Sequence, residues 1–73
     1  MENKKQFIED LSNLLSRYCW SYGIRNLKYV TPGEKYNEEV IITYYGGHQE
    51  IVNVSCDNYI AMLKDICKRG LRI

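Results

Sequence analysis

The sequence predicts an α+β domain of order α-β-β-β-α. Three observations carry that prediction. The first segment repeats apolar residues at helical spacing. Two runs rich in β-branched and aromatic residues flank a glycine pair. A second helical pattern closes the chain. The natural packing is a three-stranded antiparallel meander with both helices on one face. The other face then meets water or a partner. The 73 residues make a single small domain, residues 1–73. A chain this short buries only about 60% of its unfolded surface, so its core is marginal.

The first helix is expected over Lys4 to Tyr22. Phe7, Ile8, Leu11, Leu14, Leu15, Tyr18, Cys19 and Tyr22 recur at three- and four-residue steps and form one stripe. Gly23 follows and suits a left-handed helix end. Trp20 falls nearly opposite the stripe, which puts it outside the core.

A first strand is expected over Asn26 to Thr31, stopped by the turn pair Pro32-Gly33. Glu34 to Asn37 is polar loop. The second and third strands are Glu39 to Tyr45 and Gln49 to Ser55. A two-residue loop at Gly46-Gly47 would place Val52 and Val54 with Ile41, opposite Val40, Ile42 and Tyr44. A three-residue loop, Tyr45-Gly46-Gly47 with a left-handed Gly47, gathers Val40, Ile42, Tyr44, Val52 and Val54 on one face. A one-residue slip inverts every side chain, so the bulged hairpin with its one apolar face is the better solution. It leaves Ile41 and Ile51 facing each other on the outer side.

The last helix is expected from an Asp57 N-cap to Arg69. Tyr59, Ile60, Leu63, Ile66 and Cys67 form its expected apolar face, with Met62 at the edge and Ala61, Lys64, Asp65 and Lys68 turned away. Gly70 ends it, and Leu71-Arg72-Ile73 forms a short tail.

Catalysis needs a nucleophile, base or metal held close together. His48 is the single histidine and flanks the hairpin turn. The three cysteines, Cys19, Cys56 and Cys67, are scattered. They read as reduced apolar side chains of a cytoplasmic protein. No CxxC pair exists, so no zinc site is expected. The neighbouring carboxylates Glu9-Asp10 and Glu38-Glu39 diverge on a helix or strand and read as solvated charge. The expectation is no catalytic residue, no metal and no cofactor. The polar N-terminal residues are not expected to act as a signal peptide, and no apolar run reaches the ~20 residues of a membrane span.

The net charge of +1 gives little long-range attraction for nucleic acid or a membrane. The element order matches the double-stranded RNA-binding fold. That fold contacts phosphates with basic residues at a helix start, and here the second helix starts Asp57-Asn58-Tyr59. Nucleic-acid binding, through Tyr stacking and dispersed Lys and Arg, is therefore an alternative, as is a small structural subunit. Binding of a protein partner is the leading expectation, together with homo-oligomerisation. The residues that the core does not need are Trp20, Ile41, Tyr45, His48 and Ile51. Aromatic and apolar residues of that kind serve interfaces.

One stretch carries a resemblance. Val40 to Ile66, VIITYYGGHQEIVNVSCDNYIAMLKDI, resembles short uncharacterised proteins encoded in phages and mobile elements of Firmicute-type bacteria. The shared features are strand residues ending in Thr43-Tyr44, the turn at Gly47, Val52-Asn53-Val54, Asp57, and Ala61-Met62 with Lys64-Asp65. No function is attached to that group. The resemblance implies an accessory protein of a mobile genome, and such genomes use small non-enzymatic proteins to inhibit or sequester host defence components.

Overall fold

The computed structural model describes residues 3–18, 20–31, 37–55 and 57–71. Helix α1 spans Lys4–Tyr18, and a 3₁₀ turn follows over Trp20–Tyr22. Strands β1 (Ile24–Val30), β2 (Glu39–Tyr44) and β3 (Gln49–Asn53) form one antiparallel sheet in the order β1-β2-β3. Helix α2 (Tyr59–Ile66) continues into a π-helical turn at Cys67–Leu71. The expected α-β-β-β-α order and α+β class are those observed. Cys19, Cys56, the Pro32-Gly33 turn, most of the following loop, and Arg72 and Ile73 lie outside the described residues.

The hairpin has the expected register. Val40 faces Val52 and Ile41 faces Ile51. The Tyr44 N–H donates to the His48 carbonyl, and the Gly47 N–H donates to the Tyr44 carbonyl. Gly47 has φ +90°, which a side chain would oppose. Val40, Ile42, Val52 and Val54 are buried on the inner face.

The sheet also contains a bulge that the expected first strand lacked. Ile24 pairs with Tyr44 and Asn26 with Thr43, so Arg25 is an extra residue on β1. The bulge inverts the side-chain parity. Ile24 and Leu27 therefore both point inward although they lie three apart. This is why β1 starts two residues earlier than simple alternation suggests.

The core is Ile8, Leu11 and Leu15 from α1, Ile24 and Leu27 from β1, Val40 and Ile42 from β2, Val52 and Val54 from β3 and its exit, and Met62 and Ile66 from α2. Leu14, Tyr18 and Tyr22, expected on the buried stripe of the first helix, are exposed. The stripe is wider than the sheet surface it meets. The helix settles instead on Ile8, Leu11, Ser12 and Leu15. Ser12 has a specific role. The Leu27 N–H donates to its Oγ at 2.9 Å, which satisfies an amide on the margin of β1.

The second helix differs from expectation in its rotation. Met62 and Ile66 are fully buried, while Ile60 is 66% exposed and Leu63 is also exposed. The N-cap is Asn58, whose Oδ1 accepts from the Ala61 N–H at 2.8 Å, and not Asp57. Gly70 lies in the final turn and does not end the helix before it. A Cβ on Gly70 would stand 2.9 Å from Ile24 Cδ1 and 3.6 Å from Ile42 Cδ1. The missing side chain lets this backbone sit on the sheet. The row Met62–Ile66–Gly70 then becomes the inner row, at the expense of Ile60 and Leu63. Leu71, expected in a tail, packs against the core.

Both helices start at one end of the sheet. Lys4 of α1 pairs with Glu38, and the Asn3 N–H donates to Tyr59 Oη at 2.7 Å beside the Phe7–Tyr59 ring contact. Both helices run toward the β2–β3 turn, where Gly70 and Leu71 line a cleft with Ser21, Tyr22, Tyr44 and His48. No helix among the described residues is long and apolar enough to cross a membrane.

Candidate functional site

The hairpin end gathers most of the exposed aromatic surface. Gly23 (φ +86°) reverses the chain after the 3₁₀ turn, with its N–H donating to the Trp20 carbonyl at 2.8 Å. The Tyr45 N–H then donates to the Gly23 carbonyl at 2.9 Å. That bond fixes the Trp20–Tyr22 turn against the tip of the hairpin. Trp20 is 65% exposed, Tyr45 is 60% exposed, and Tyr22 and His48 are exposed beside them.

Behind these rings is a cleft of about 440 Å³ lined by Ser21, Tyr22, Tyr44, His48, Gly70 and Leu71. The Tyr44 ring stacks on the His48 imidazole at 5.5 Å and 26°. Tyr44 Oη lies 3.4 Å from Glu50 Oε2 and 3.5 Å from the Arg69 carbonyl oxygen, and its one proton is donated to one or the other. His48 Nε2 stands 3.8 Å from Glu50 Oε1. Ser21 lines the cleft, but no hydrogen bond joins it to His48. Among the described residues, no group of three or more His, Cys, Asp or Glu is placed to hold a metal ion. Aromatic faces with polar tips, held by backbone hydrogen bonds, form a contact surface of the kind that Tyr and Trp supply at interfaces.

The five residues singled out from sequence divide between two places. Trp20, Tyr45 and His48 belong to the hairpin end. Ile41 and Ile51 lie on the outer sheet face, where the register aligns Lys28, Ile41 and Ile51 across the three strands. Ile51 is 58% exposed and Ile41 is half-buried. Ile51 and His48 are three residues apart on an extended strand, about 10 Å.

Sequence reasoning missed Tyr22, Leu14, Tyr18, Ile60 and Leu63 as surface residues, because each was assigned to a buried face. Tyr22 was assigned to a continuing helix. The signal against that was Gly23, whose end-of-helix geometry already permits a tightened last turn.

The opposite end of the sheet is polar. Glu38, expected as solvated charge, is instead a hub. Its carboxylate accepts from Lys4 Nζ at 2.9 Å and from Tyr29 Oη, and its N–H donates to Ser55 Oγ at 2.8 Å. The Tyr29 and Lys4 hydrogen bonds hold the Glu38 carboxyl below its ordinary range. Burial, then the Glu38 hydrogen bond and charge, push Tyr29 up to about 12.

Asp57 lies near this hub. A hydrogen bond shared with Asp65, burial and the Asp65 charge raise its pKa, and no N–H or hydroxyl reaches its shielded Oδ2. A carboxyl whose folded pKa is raised stabilises the fold when protonated. That contribution is lost as pH rises from the ordinary aspartate range through the raised value. Asp57→Asn removes the charge at every pH. Thermal melts should therefore show the variant gaining on the parent between pH 4 and pH 7. An equal difference at both pH values would remove Asp57 as the cause.

Comparison of the chain with protein-family models, with curated proteins and with solved structures returns no match.

Proposed function

We propose that this chain is a non-enzymatic binding module that docks a protein partner through its hairpin end. The observation that carries the reading is the convergence of Trp20, Tyr22, Tyr45 and His48 from two separate segments, tied by the Tyr45 to Gly23 hydrogen bond. Exposed aromatic rings of this density are costly to leave in water and are the side chains that dominate binding energy at interfaces. Leu14 and Tyr18 are further exposed apolar residues, in the second half of α1. The resemblance of Val40 to Ile66 to phage and mobile-element proteins supports a finer reading. The partner would be a host defence component that this protein inhibits or sequesters.

A second reading is nucleic-acid binding. It is favoured by Arg25, at the bulge opposite Thr43 and Tyr44, by Arg69, whose carbonyl lies beside Tyr44 Oη, and by Arg17 in the last turn of α1. Stacking of bases on Tyr and Trp with phosphates on these cations is its mechanism.

One experiment separates them. The tagged chain and its Trp20→Ala/Tyr45→Ala variant, both checked by circular dichroism, are used to capture partners from nuclease-treated extracts of the native host. A specific protein held by the parent and lost by the variant supports the first reading. Equal retention by both would place the contact elsewhere. Affinity for RNA and DNA across a salt series tests the second: a steep fall with salt supports it, and a flat response or no binding rejects it.

A further inference from the structure

We infer that β3 pairs with β3 of a second copy, antiparallel, about a two-fold axis through Ile51. The inference concerns a different surface from the hairpin end and does not depend on the reading above.

The β2–β3 ladder fixes which way each amide points. The Tyr44 N–H donates to the His48 carbonyl, and the Val54 N–H donates to the Glu38 carbonyl. Residues 48, 50, 52 and 54 are thus the ones that bond β2, by the alternation of an antiparallel pair. Gln49, Ile51 and Asn53 direct their N–H and C=O groups away from the sheet. β3 is a terminal strand of the sheet, so this row forms an open edge among the described residues. Of the devices that protect such edges, Gln49 to Asn53 has no Lys, Pro or bulge; its one charge is Glu50, which points to the inner face and excludes a register that sets it against its own copy. The β1 margin, by contrast, has an amide covered by Ser12.

The occupant and the register follow from the side chains. Pairing centred on Glu50 would set two carboxylates opposite each other. Pairing centred on Val52 would set Ile51 against Asn53. Pairing centred on Ile51 sets Ile51 against Ile51 and Gln49 against Asn53, with all three outward residues in hydrogen-bonded positions. The outer face then carries an unbroken stripe Ile41–Ile51–Ile51–Ile41, because Ile41 already faces Ile51 within each copy.

The inner face is complementary in charge. Glu50 of one copy falls opposite Val52 of the other. Val52 lines a cleft of about 260 Å³ with Asn53, Asp65, Lys68 and Arg69, two cations against one carboxylate. An isologous two-fold contact makes this pairing twice. The product is a six-stranded sheet with its two hairpin ends pointing in opposite directions.

The test combines sedimentation equilibrium with amide hydrogen exchange on the whole chain. The parent is expected to be a concentration-dependent dimer with slowed exchange at Gln49, Ile51 and Asn53. Ile51→Lys lies on an exposed position and should raise the dissociation constant at least tenfold while the circular dichroism stays unchanged. Glu50→Arg should weaken the dimer as well, and Trp20→Ala/Tyr45→Ala should leave it intact. A monomer at all concentrations overturns the inference. So does a dimer that survives Ile51→Lys, or one whose slowed amides lie elsewhere.

Discussion

Replacing Ile42 by alanine is expected to cost about 2–5 kcal/mol, the range for deleting most of a buried aliphatic side chain. Ile42 is fully buried on the central strand, between Leu27 and Glu50 in register and beneath Gly70. Neither flanking strand can close the resulting cavity without breaking its own ladder. A domain of this length has a total stability of about 4–11 kcal/mol, so the loss is a large share of it. Ile41, one residue away, points to the outer face, and Ile41→Ala should cost about 1 kcal/mol or less. Urea unfolding of both variants measures the contrast. Equal losses would mean that the strand does not present its residues as described.

Gly70→Leu should destabilise the fold by about 1–3 kcal/mol, as overpacking of a filled core does. The Cβ alone would reach 2.9 Å from Ile24 Cδ1, and Ile24 has no exposed surface into which to move. Gly70→Ala is a finer probe. Alanine favours a helical backbone by about 1 kcal/mol over glycine, and that gain opposes the contact with Ile24. Ile24→Val removes the Cδ1 atom itself. The Gly70→Ala/Ile24→Val pair should therefore be more stable than the sum of its single variants, with a coupling of about 0.5 kcal/mol or more. Additive losses would show that this contact does not set the height of the last turn above the sheet. These variants also test why α2 buries Met62 and Ile66, since Gly70 lies on the same helical row.

The candidate site was legible in part. Trp20 was readable as a surface residue from its place opposite the expected stripe, although α1 ends at Tyr18 and Trp20 lies in the 3₁₀ turn. Tyr45 was readable because it sits in the three-residue turn, and His48 because it flanks that turn; the stacking of His48 on Tyr44 was not. Their convergence with Tyr22 was not readable. It depends on the hydrogen bond from Tyr45 to the Gly23 carbonyl, made between residues 22 positions apart. Glu38 was misread for a similar reason, since Lys4 and Tyr29 reach it only in the folded chain.

The amino-acid order alone determined the element types and the hairpin register. Both rest on local rules: helical or alternate spacing of apolar residues, and a glycine where φ must be positive. Gly47 and the shared parity of Val40, Ile42, Val52 and Val54 left one good solution. The tertiary structure decided the rotation of each helix, the bulge at Arg25, and which apolar residues stay in water. Both helices offered wider apolar faces than the sheet could cover. The buried part of each face carries a close contact to β1, Ser12 with the Leu27 amide and Gly70 with Ile24, between segments far apart in sequence. Spacing along one helix holds no record of such contacts, because their energy is set by what stands opposite.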